Sequence, residues 1–600
     1  MSRGLLSAAW TLWRTSLRQD RRKAVTALAL VVAGAAAWPL VAVLLRTLFD
    51  AASAGRPVAA SLAGIGVAVL LIAGLTLGHF AHIAYFELSE LDVLHLHQEL
   101  MAATNGSPGM AHHERPDLAD KVAVLEQDIE QLRVGLQAVL TGVGLAVAMA
   151  LTTAVLGSLH PLLLLLPLVA VPPLLAGRWA ERMVDRSREA TAETTRRALG
   201  LFRLATSAAA SKELRVFGLE NEVRHRHRGL WQDATGRLCR SQTVASLVRM
   251  LGQSAFAVGY IVAVLVILRD AVAGRRSAGD VILVIAIAAQ VNQQVAAAVG
   301  VLQDLQRLRS VYQRLDEVHE LVRADEPAPA RSPGTLAPAP DRLRDGIRLV
   351  GVALRYPSAD RTVLADLDLH LPAGSTVAVV GENGAGKTSL VKLICGLLRP
   401  TAGRILVDGA DLAELSAPGW HERIAAGFQD FVRFELPARH TVGLGDLPRL
   451  DDEAAVRTAL DRAGAGDLAG ALEAGLDTPL GKSYTDGVEL SGGQWQKLAL
   501  GRALIRDDPL LVVLDEPTAA LDAEAEHALF ERYRQQAARV GRRTGAVSVF
   551  VSHRFSTVRL ADLIVVLADG RVEEVGSHAE LVSAGGRYAE MFDLQARAYR

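Results

Sequence analysis

Six stretches of about 20 predominantly apolar residues, 24–46, 61–86, 135–157, 160–177, 244–268 and 279–302, leave the first half of this chain few ways to fold. Backbone N–H and C=O groups carried into hydrocarbon must pair within their own segment, so each stretch is expected to be a helix that crosses a lipid bilayer. Half of all residues are hydrophobic (50%), and the excess lies before about residue 305. The fourth stretch is short and carries Pro161, Pro167, Pro172 and Pro173. Membrane helices tolerate proline, so it counts as a span. The first is too long, and followed by too many others, to be a cleaved signal peptide.

Charge orients the spans. Arg18, Arg21, Arg22 and Lys23 precede the first, and 178–240 is rich in Arg, whereas loops 47–60 and 158–160 are nearly free of basic residues. The N-terminus is therefore expected inside. Arg269, Arg275 and Arg276 in loop 269–278 depart from that rule but are outnumbered. Ahead of the first span, Leu6, Trp10, Trp13 and Leu17 recur at helical spacing. They suit a helix in the membrane interface or one packed on protein.

The second half is built differently. The apolar run Thr376–Val380 leads directly into Gly381-Glu-Asn-Gly-Ala-Gly-Lys-Thr388, followed by helix-forming Ser389–Leu398. A Gly-rich turn from strand to helix lets backbone N–H groups close around phosphate oxygens, with Lys387 adding a point charge and Thr388 a ligand for Mg²⁺. Gly381, Glu382, Asn383, Gly384, Ala385, Gly386, Lys387, Thr388 and Ser389 are the expected nucleotide cradle.

A second aliphatic strand, Leu510–Leu514, delivers Asp515 and Glu516 at its C-terminal end, where ligands gather in open α/β sheets. Asp515 is expected to orient Mg²⁺ and Glu516 to polarise an attacking water as general base. A third strand, Ala546–Val551, ends in Ser552-His553, placing an imidazole for the γ-phosphate. Ser491, Gly492 and Gly493, ahead of the helix Gln494–Ile505, offer a second helix N-terminus to phosphate.

With Leu490-Ser491-Gly492-Gly493-Gln494 between them, these motifs resemble the ATP-binding cassette transporters, in particular exporters with membrane and nucleotide domains fused in one chain. The resemblance implies six transmembrane helices in an all-α domain at 1–323, a Pro-rich linker at 324–346, and an α/β P-loop ATPase domain with antiparallel β and helical subdomains at 347–600. It implies that Tyr356 stacks on adenine, that Gln429 touches Mg²⁺ and water, and that Asp522 lies in the loop after Glu516. Without it, Tyr356 reads as a packing aromatic beside Pro357. It further implies that Ser491, Gly492, Gly493 and Gln494 of one subunit close on ATP held by another. Two copies are then needed for two complete sites, so a homodimer is the simplest assembly and a heterodimer the alternative.

The segments 89–132 and 178–242 are expected to be helical extensions into the cytoplasm. His113–Lys121 and Ser211–Gly218 resemble the short coupling helices that such exporters dock on their ATPase domains, placing coupling near 112–122 and 209–218. Five prolines between Pro327 and Pro340 mark an extended linker. Strands are expected at Ile347–Tyr356, Val363–Leu371 and Arg404–Val407, and a helical stretch at 451–473.

What is carried is less legible. The spans lack mid-span Asp, Glu, Lys and Arg, which argues against a buried proton relay. Gln290, Gln293 and Gln294 share one helical face and suit either substrate or interhelical hydrogen bonds. His79 and His82 are similarly open. The stretch Asp486–Leu500, with Trp495, resembles bacterial exporters of peptide natural products such as lantibiotics, with no cysteine peptidase domain expected ahead of the spans, and Tyr484–Glu489 departs from the Glu-Arg-Gly pattern common in multidrug members. Cys239 and Cys395 match no ligand spacing, and a net charge of −1 gives no reason to propose nucleic acid. The expected activity is ATP-driven export of a peptide, lipid or drug across the cell inner (cytoplasmic) membrane, with the ATPase in the cytoplasm. An ATP-gated channel or regulatory subunit and a lipid-linked flippase are the alternatives.

Overall fold

The computed structural model describes residues 4–598 apart from 108, 131, 170, 326–335, 358–360, 517–522 and 553. The chain divides into two compact units, residues 1–101 with 123–317, and residues 102–122 with 318–600. Of the expected site residues, His553 and Asp522 lie outside the described residues, as do residues 326–335 of the Pro-rich linker.

The first unit is helical. Its elements are α1 (Leu5–Gln19), α2 (Arg21–Ser53), most of α3 (Pro57–Asn105), the end of α4 (Pro116–Ile129), α5 (Leu132–Leu159), α6 (Leu166–Val169), α7 (Val171–Thr206), α8 (Ala208–Val216), α9 (Glu220–Val272) and most of α10 (Ala278–Asp325). Among the described residues, α2, α3, α5, α9 and α10 are long and apolar enough to cross a bilayer. Only 11% (α3) to 33% (α10) of their most apolar windows is buried, so most of that apolar surface faces outward. Surface of that kind is stable against lipid and not against water.

The fourth expected span opens on a 3₁₀ turn at Pro161–Leu165 and continues as helix at Leu166–Val169 and from Val171 onward, on either side of residue 170, which lies outside the described residues. Pro161 opens the 3₁₀ turn, where its missing N–H has no helical partner to lose. The remainder of α7 is polar.

Interhelical hydrogen bonds lie inside this unit. Gln290 Nε2 donates to the Trp38 carbonyl at 2.8 Å and Gln294 Nε2 to Thr152 Oγ1 at 3.0 Å. Those two glutamines therefore bond between helices. On α1, Leu6 and Trp10 are exposed while Ala8, Leu12 and Ser16 are buried, so the helix has one apolar face outward and one packed on protein. His82 pairs locally with the Tyr85 hydroxyl.

Among the described residues the second unit carries ten strands: β1 (Gly346–Arg355), β2 (Thr362–Pro372), β3 (Thr376–Val380), β4 (Ala402–Val407), β5 (Ala410–Asp411), β6 (Ile424–Gly427), β7 (Leu511–Asp515), β8 (Val547–Val551), β9 (Leu563–Ala568) and β10 (Arg571–Gly576). A four-stranded sheet runs β2-β1-β4-β5 with antiparallel pairings, and a six-stranded sheet runs β10-β9-β3-β8-β7-β6. In the larger sheet β9, β3, β8, β7 and β6 are parallel and β10 is antiparallel. Every residue of β7 and β8 is buried, as an aliphatic strand covered on both faces requires.

The strands fall where their apolar runs put them, within a residue or two. The helical stretch 451–473 is instead split into Glu453–Arg462 and Leu468–Ala471, with Gly464 at φ +68° between them. The polar extension 89–132 is likewise interrupted, since α3 ends at Asn105 and α4 begins at Pro116. Residues 102–122 pack within this second unit.

Candidate nucleotide site

The parallel order brings the ends of β3, β7 and β8 side by side, and β6 lies next to β7. Gly381 follows β3, Asp515 ends β7 with Glu516 after it, and Gln429 lies two residues beyond β6. Four sequence-distant groups thus meet at one sheet edge because that edge is where parallel strands end.

The phosphate loop is shaped by three glycines at positive φ, Gly381 (+153°), Gly384 (+85°) and Gly386 (+99°). A Cβ on Gly381 would lie 2.3 Å from the Leu567 carbonyl oxygen, and one on Gly386 2.5 Å from Leu364 Cδ2. The loop ends at helix α11 (Lys387–Ile394), whose first N–H groups are free of intrahelical partners. Lys387 is buried and folds back over the loop, its Nζ donating to the Gly381 and Glu382 carbonyls at 3.0 Å each. Burial pulls its ammonium below the ordinary lysine value, against the carboxylates of Glu516 and Asp515, which hold it up. A desolvated lysine on a cradle of carbonyls has most to gain from an arriving phosphate.

Thr388 Oγ1 donates to Asp515 Oδ2 at 3.0 Å. Asp515 is 2% exposed, and burial pushes its carboxyl above the usual carboxylate range while the Thr388 hydrogen bond works to lower it. Gln429 Nε2 donates to Glu516 Oε2 at 2.8 Å. Glu516 takes a left-handed backbone at φ +46°, uncommon for a residue with a Cβ, and its N–H donates to the Val551 carbonyl of β8 at 3.0 Å. The strained turn lifts its carboxylate off the strand beside Gln429.

The donors Thr388, Asp515 and the Gln429 amide oxygen are all hard, which fits Mg²⁺ and not a thiolate-seeking metal. Among the described residues no group of three His, Cys, Asp or Glu side chains is arranged to hold a metal alone.

Tyr356 ends up between the two readings of it. Its ring packs half-buried against the main core of the unit, and its hydroxyl meets Ser389 Oγ of α11 at 3.0 Å. Ser491 caps the helix Gly492–Leu504: its hydroxyl accepts from Gln494 N at 3.3 Å, and Gln494 Oε1 accepts from Ser491 N at 2.9 Å. A Cβ on Gly492 would meet nothing within 4 Å, so this capped turn presents an open face. Among the described residues it joins none of the hydrogen bonds around Lys387, Asp515 and Glu516.

Two contacts escape sequence reading. Arg587 donates to the phosphate-loop carboxylate Glu382 at 2.8 Å, from near the C-terminus. Lys392 on α11 pairs with Glu114, 278 positions away. Neither belongs to a spacing pattern, so no local signal could have revealed it.

Residues 364–519 match the family described as ABC transporter. The chain is 34% identical over 348 residues to the ATP-dependent lipid A-core flippase of Bordetella avium, covering 57% of this chain and 55% of that protein. It is 36% identical to the nisin transport ATP-binding protein of Lactococcus lactis, covering 41% and 40%. To the subtilin transport ATP-binding protein of Bacillus subtilis it is 26% identical, covering 80% and 76%. The first of these alignments thus spans about half the length of the curated relative, and the second about two fifths. The fold resembles that of a bacterial Atm1-family ABC exporter with ATP bound, at a TM-score of 0.78 and 23% identity, over 96% of this chain and 98% of that one. Phosphate loop, strand-end carboxylates and sheet order agree with these similarities: residues 364–519 match the ABC transporter family, and together with the helical domain ahead of them, with its membrane-length apolar helices, they take the fold seen in an ABC exporter.

Proposed function

We propose that the chain is a half-transporter that hydrolyses ATP with Mg²⁺ to export a substrate across the cytoplasmic membrane by alternating access, working as a homodimer. The observation that carries this reading is the convergence of Lys387, the Thr388–Asp515 pair and the Gln429–Glu516 pair at one sheet edge. On binding, the γ-phosphate takes over Lys387 from the loop carbonyls. Mg²⁺, when bound, supplies charge neutralisation for the phosphates, held through Thr388, Asp515 and Gln429. Glu516 accepts a proton from the attacking water, and Gln429 holds its carboxylate in line. His553 and Asp522 complete the proposed set, and Tyr356 borders the nucleotide.

The capped turn Ser491–Gln494 serves the ATP of a second copy. The open face at Gly492 supports that reading. On α8, Val216 and Phe217 are 79% and 68% exposed, an apolar tip that suits a coupling element needing a partner surface. The substrate is a peptide natural product, a lipid or a hydrophobic drug; the names of the relatives, lipid A-core flippase and nisin and subtilin transport proteins, support the first two. The test is ATPase activity of the full chain in nanodiscs with candidate lipids and lantibiotic peptides. Stimulation by a compound that is also moved across the bilayer supports a pump, and negligible hydrolysis by the wild type would sink it.

A further inference from the structure

Asp92 lies on α3 beyond the expected span 61–86 and is only 2% exposed. Its Oδ2 accepts the Ser16 hydroxyl of α1 at 2.6 Å. Its Oδ1 is buried and has no hydrogen-bond partner among the described residues. A carboxylate held this way is costly unless a proton or a cation neutralises it.

Beside it opens a cavity of about 200 Å³ whose lining includes Thr11, Thr15, Asp92, His95 and Glu99. Two carboxyl groups and no lysine or arginine line it. Thr11 spends its hydroxyl proton on the Ser7 carbonyl at 2.8 Å, so it can offer only lone pairs elsewhere. Thr15, His95 and Tyr312 of the lining can donate, yet among the described residues Asp92 Oδ1 stays without a hydrogen bond and the two carboxyl groups face no cation, which calls for a ligand that brings a charged donor. No three of the described His, Cys, Asp and Glu residues are arranged for a bare metal ion, so the donors belong to a molecule.

The depth of the cavity narrows the choice. Leu6 (83% exposed) and Trp10 (63%) of α1 face away from the protein, as in a helix resting in a membrane interface. Lys23 at the start of α2 pairs with Glu87 of α3 at 2.5 Å, marking where both helices leave the apolar zone. Asp92 follows Glu87 by five residues on α3, just outside the apolar stretch, where a lipid headgroup or a soluble amine could reach it.

We propose that this cavity between α1 and α3 binds a primary ammonium group, supplied by an aminophospholipid headgroup or by a free polyamine, with Asp92 and Glu99 as its anionic partners. The ligand would fill the hydrogen-bonding capacity of Oδ1 and tie α1 to α3. The competing arrangement is a protonated Asp92 that donates to Ser16 Oγ while Ser16 donates to the Leu12 carbonyl, 3.0 Å away.

The full-length protein in nanodiscs distinguishes them. Native mass spectrometry of wild type in mixed phosphatidylethanolamine and phosphatidylcholine is expected to show roughly tenfold preferential retention of the ethanolamine lipid, and Asp92→Asn to abolish that preference. Glu99→Gln, at a partly exposed position, is expected to weaken it and carries the test if Asp92→Asn fails to fold. In pure phosphatidylcholine nanodiscs, a rise in Tm with added spermidine that Asp92→Asn lacks assigns the site to a free amine. Equal retention of both lipids with no response to spermidine, or an Asp92→Asn protein that behaves as wild type, overturns the proposal in favour of a proton on Asp92.

Discussion

The Lys392 ammonium, on the helix that leaves the phosphate loop, lies 2.6 Å from the Glu114 carboxylate of the segment between α3 and α4. Met110 of that segment donates its N–H to the Leu397 carbonyl at 2.8 Å, and its side chain and Ala111 pack against the main core of the unit. The segment that the sequence singles out as a coupling element is thus bonded to the helix whose N-terminus forms the phosphate cradle. A shift of α11 on nucleotide binding would move Glu114 directly.

Glu114→Gln is therefore expected to loosen coupling more than stability. Burial, the largest single influence, lowers the Lys392 pKa, but the Glu114 hydrogen bond together with the charges of Tyr356, Glu114 and Asp430 outweighs it, so the net shift is upward. A raised lysine value means that the pair contributes fully at neutral pH and is lost only as pH rises through the raised value. A part-buried pair of this kind is worth about 0.5–1 kcal/mol. We expect a small fall in Tm and a roughly two- to fivefold loss of substrate stimulation of the ATPase. Unchanged stimulation would remove the pair from the coupling path.

Glu516→Gln should bind ATP with near wild-type affinity and lose turnover by roughly 10²–10⁴-fold, the range for removal of a general base. The side chain keeps its size and its neighbour Gln429, so binding geometry survives. Single-turnover hydrolysis alongside nucleotide-binding titrations reads the two apart, and near wild-type hydrolysis would exclude Glu516 as base.

Glycine replacements in the phosphate loop should rank by what a Cβ meets. Gly381→Ala drives a methyl into a backbone carbonyl that cannot move, whereas at Gly384 a Cβ meets nothing within 4 Å and only φ is strained. We expect Gly381→Ala to cost about 1–3 kcal/mol or more and Gly384→Ala less. Thermal unfolding with and without ATP measures both; the reverse order would mean that the loop backbone is not as described.

Asp515→Asn should separate stability from metal binding. Because burial raises the folded-state value of Asp515, its charged form is penalised by folding, and that penalty grows as pH rises from the ordinary carboxylate value through the raised one. At pH 7 the neutral amide removes it, so the ligand-free variant should melt no lower than wild type. Mg²⁺-dependent stabilisation by ATP should vanish. A variant that loses stability but keeps the Mg²⁺ effect would contradict both parts.

Much of the nucleotide site was legible in the sequence because its parts sit at the ends of short aliphatic strands. Such strands are recognisable from composition alone, and a parallel sheet must bring their C-terminal ends together. Gln429 and Tyr356 needed the family resemblance, since neither stands in a pattern of its own. The pairs Arg587–Glu382 and Lys392–Glu114 were invisible, their members being 205 and 278 positions apart. The fourth span shows the opposite limit: hydropathy counted residues 160–177 as one element, but it opens on a 3₁₀ turn at Pro161–Leu165.

The amino-acid sequence by itself determined which half of the chain is built of long apolar helices and which half cradles phosphate. Period, length and glycine placement are local properties, and local properties follow from the order of residues. Only the tertiary structure decided which distant charges meet: Lys387 on its own loop carbonyls, Asp515 against Thr388, Glu114 against Lys392, Asp92 against Ser16. Such pairings depend on burial and on how helices and strands stack, and burial is what turns an ordinary carboxylate or ammonium into one whose partner matters.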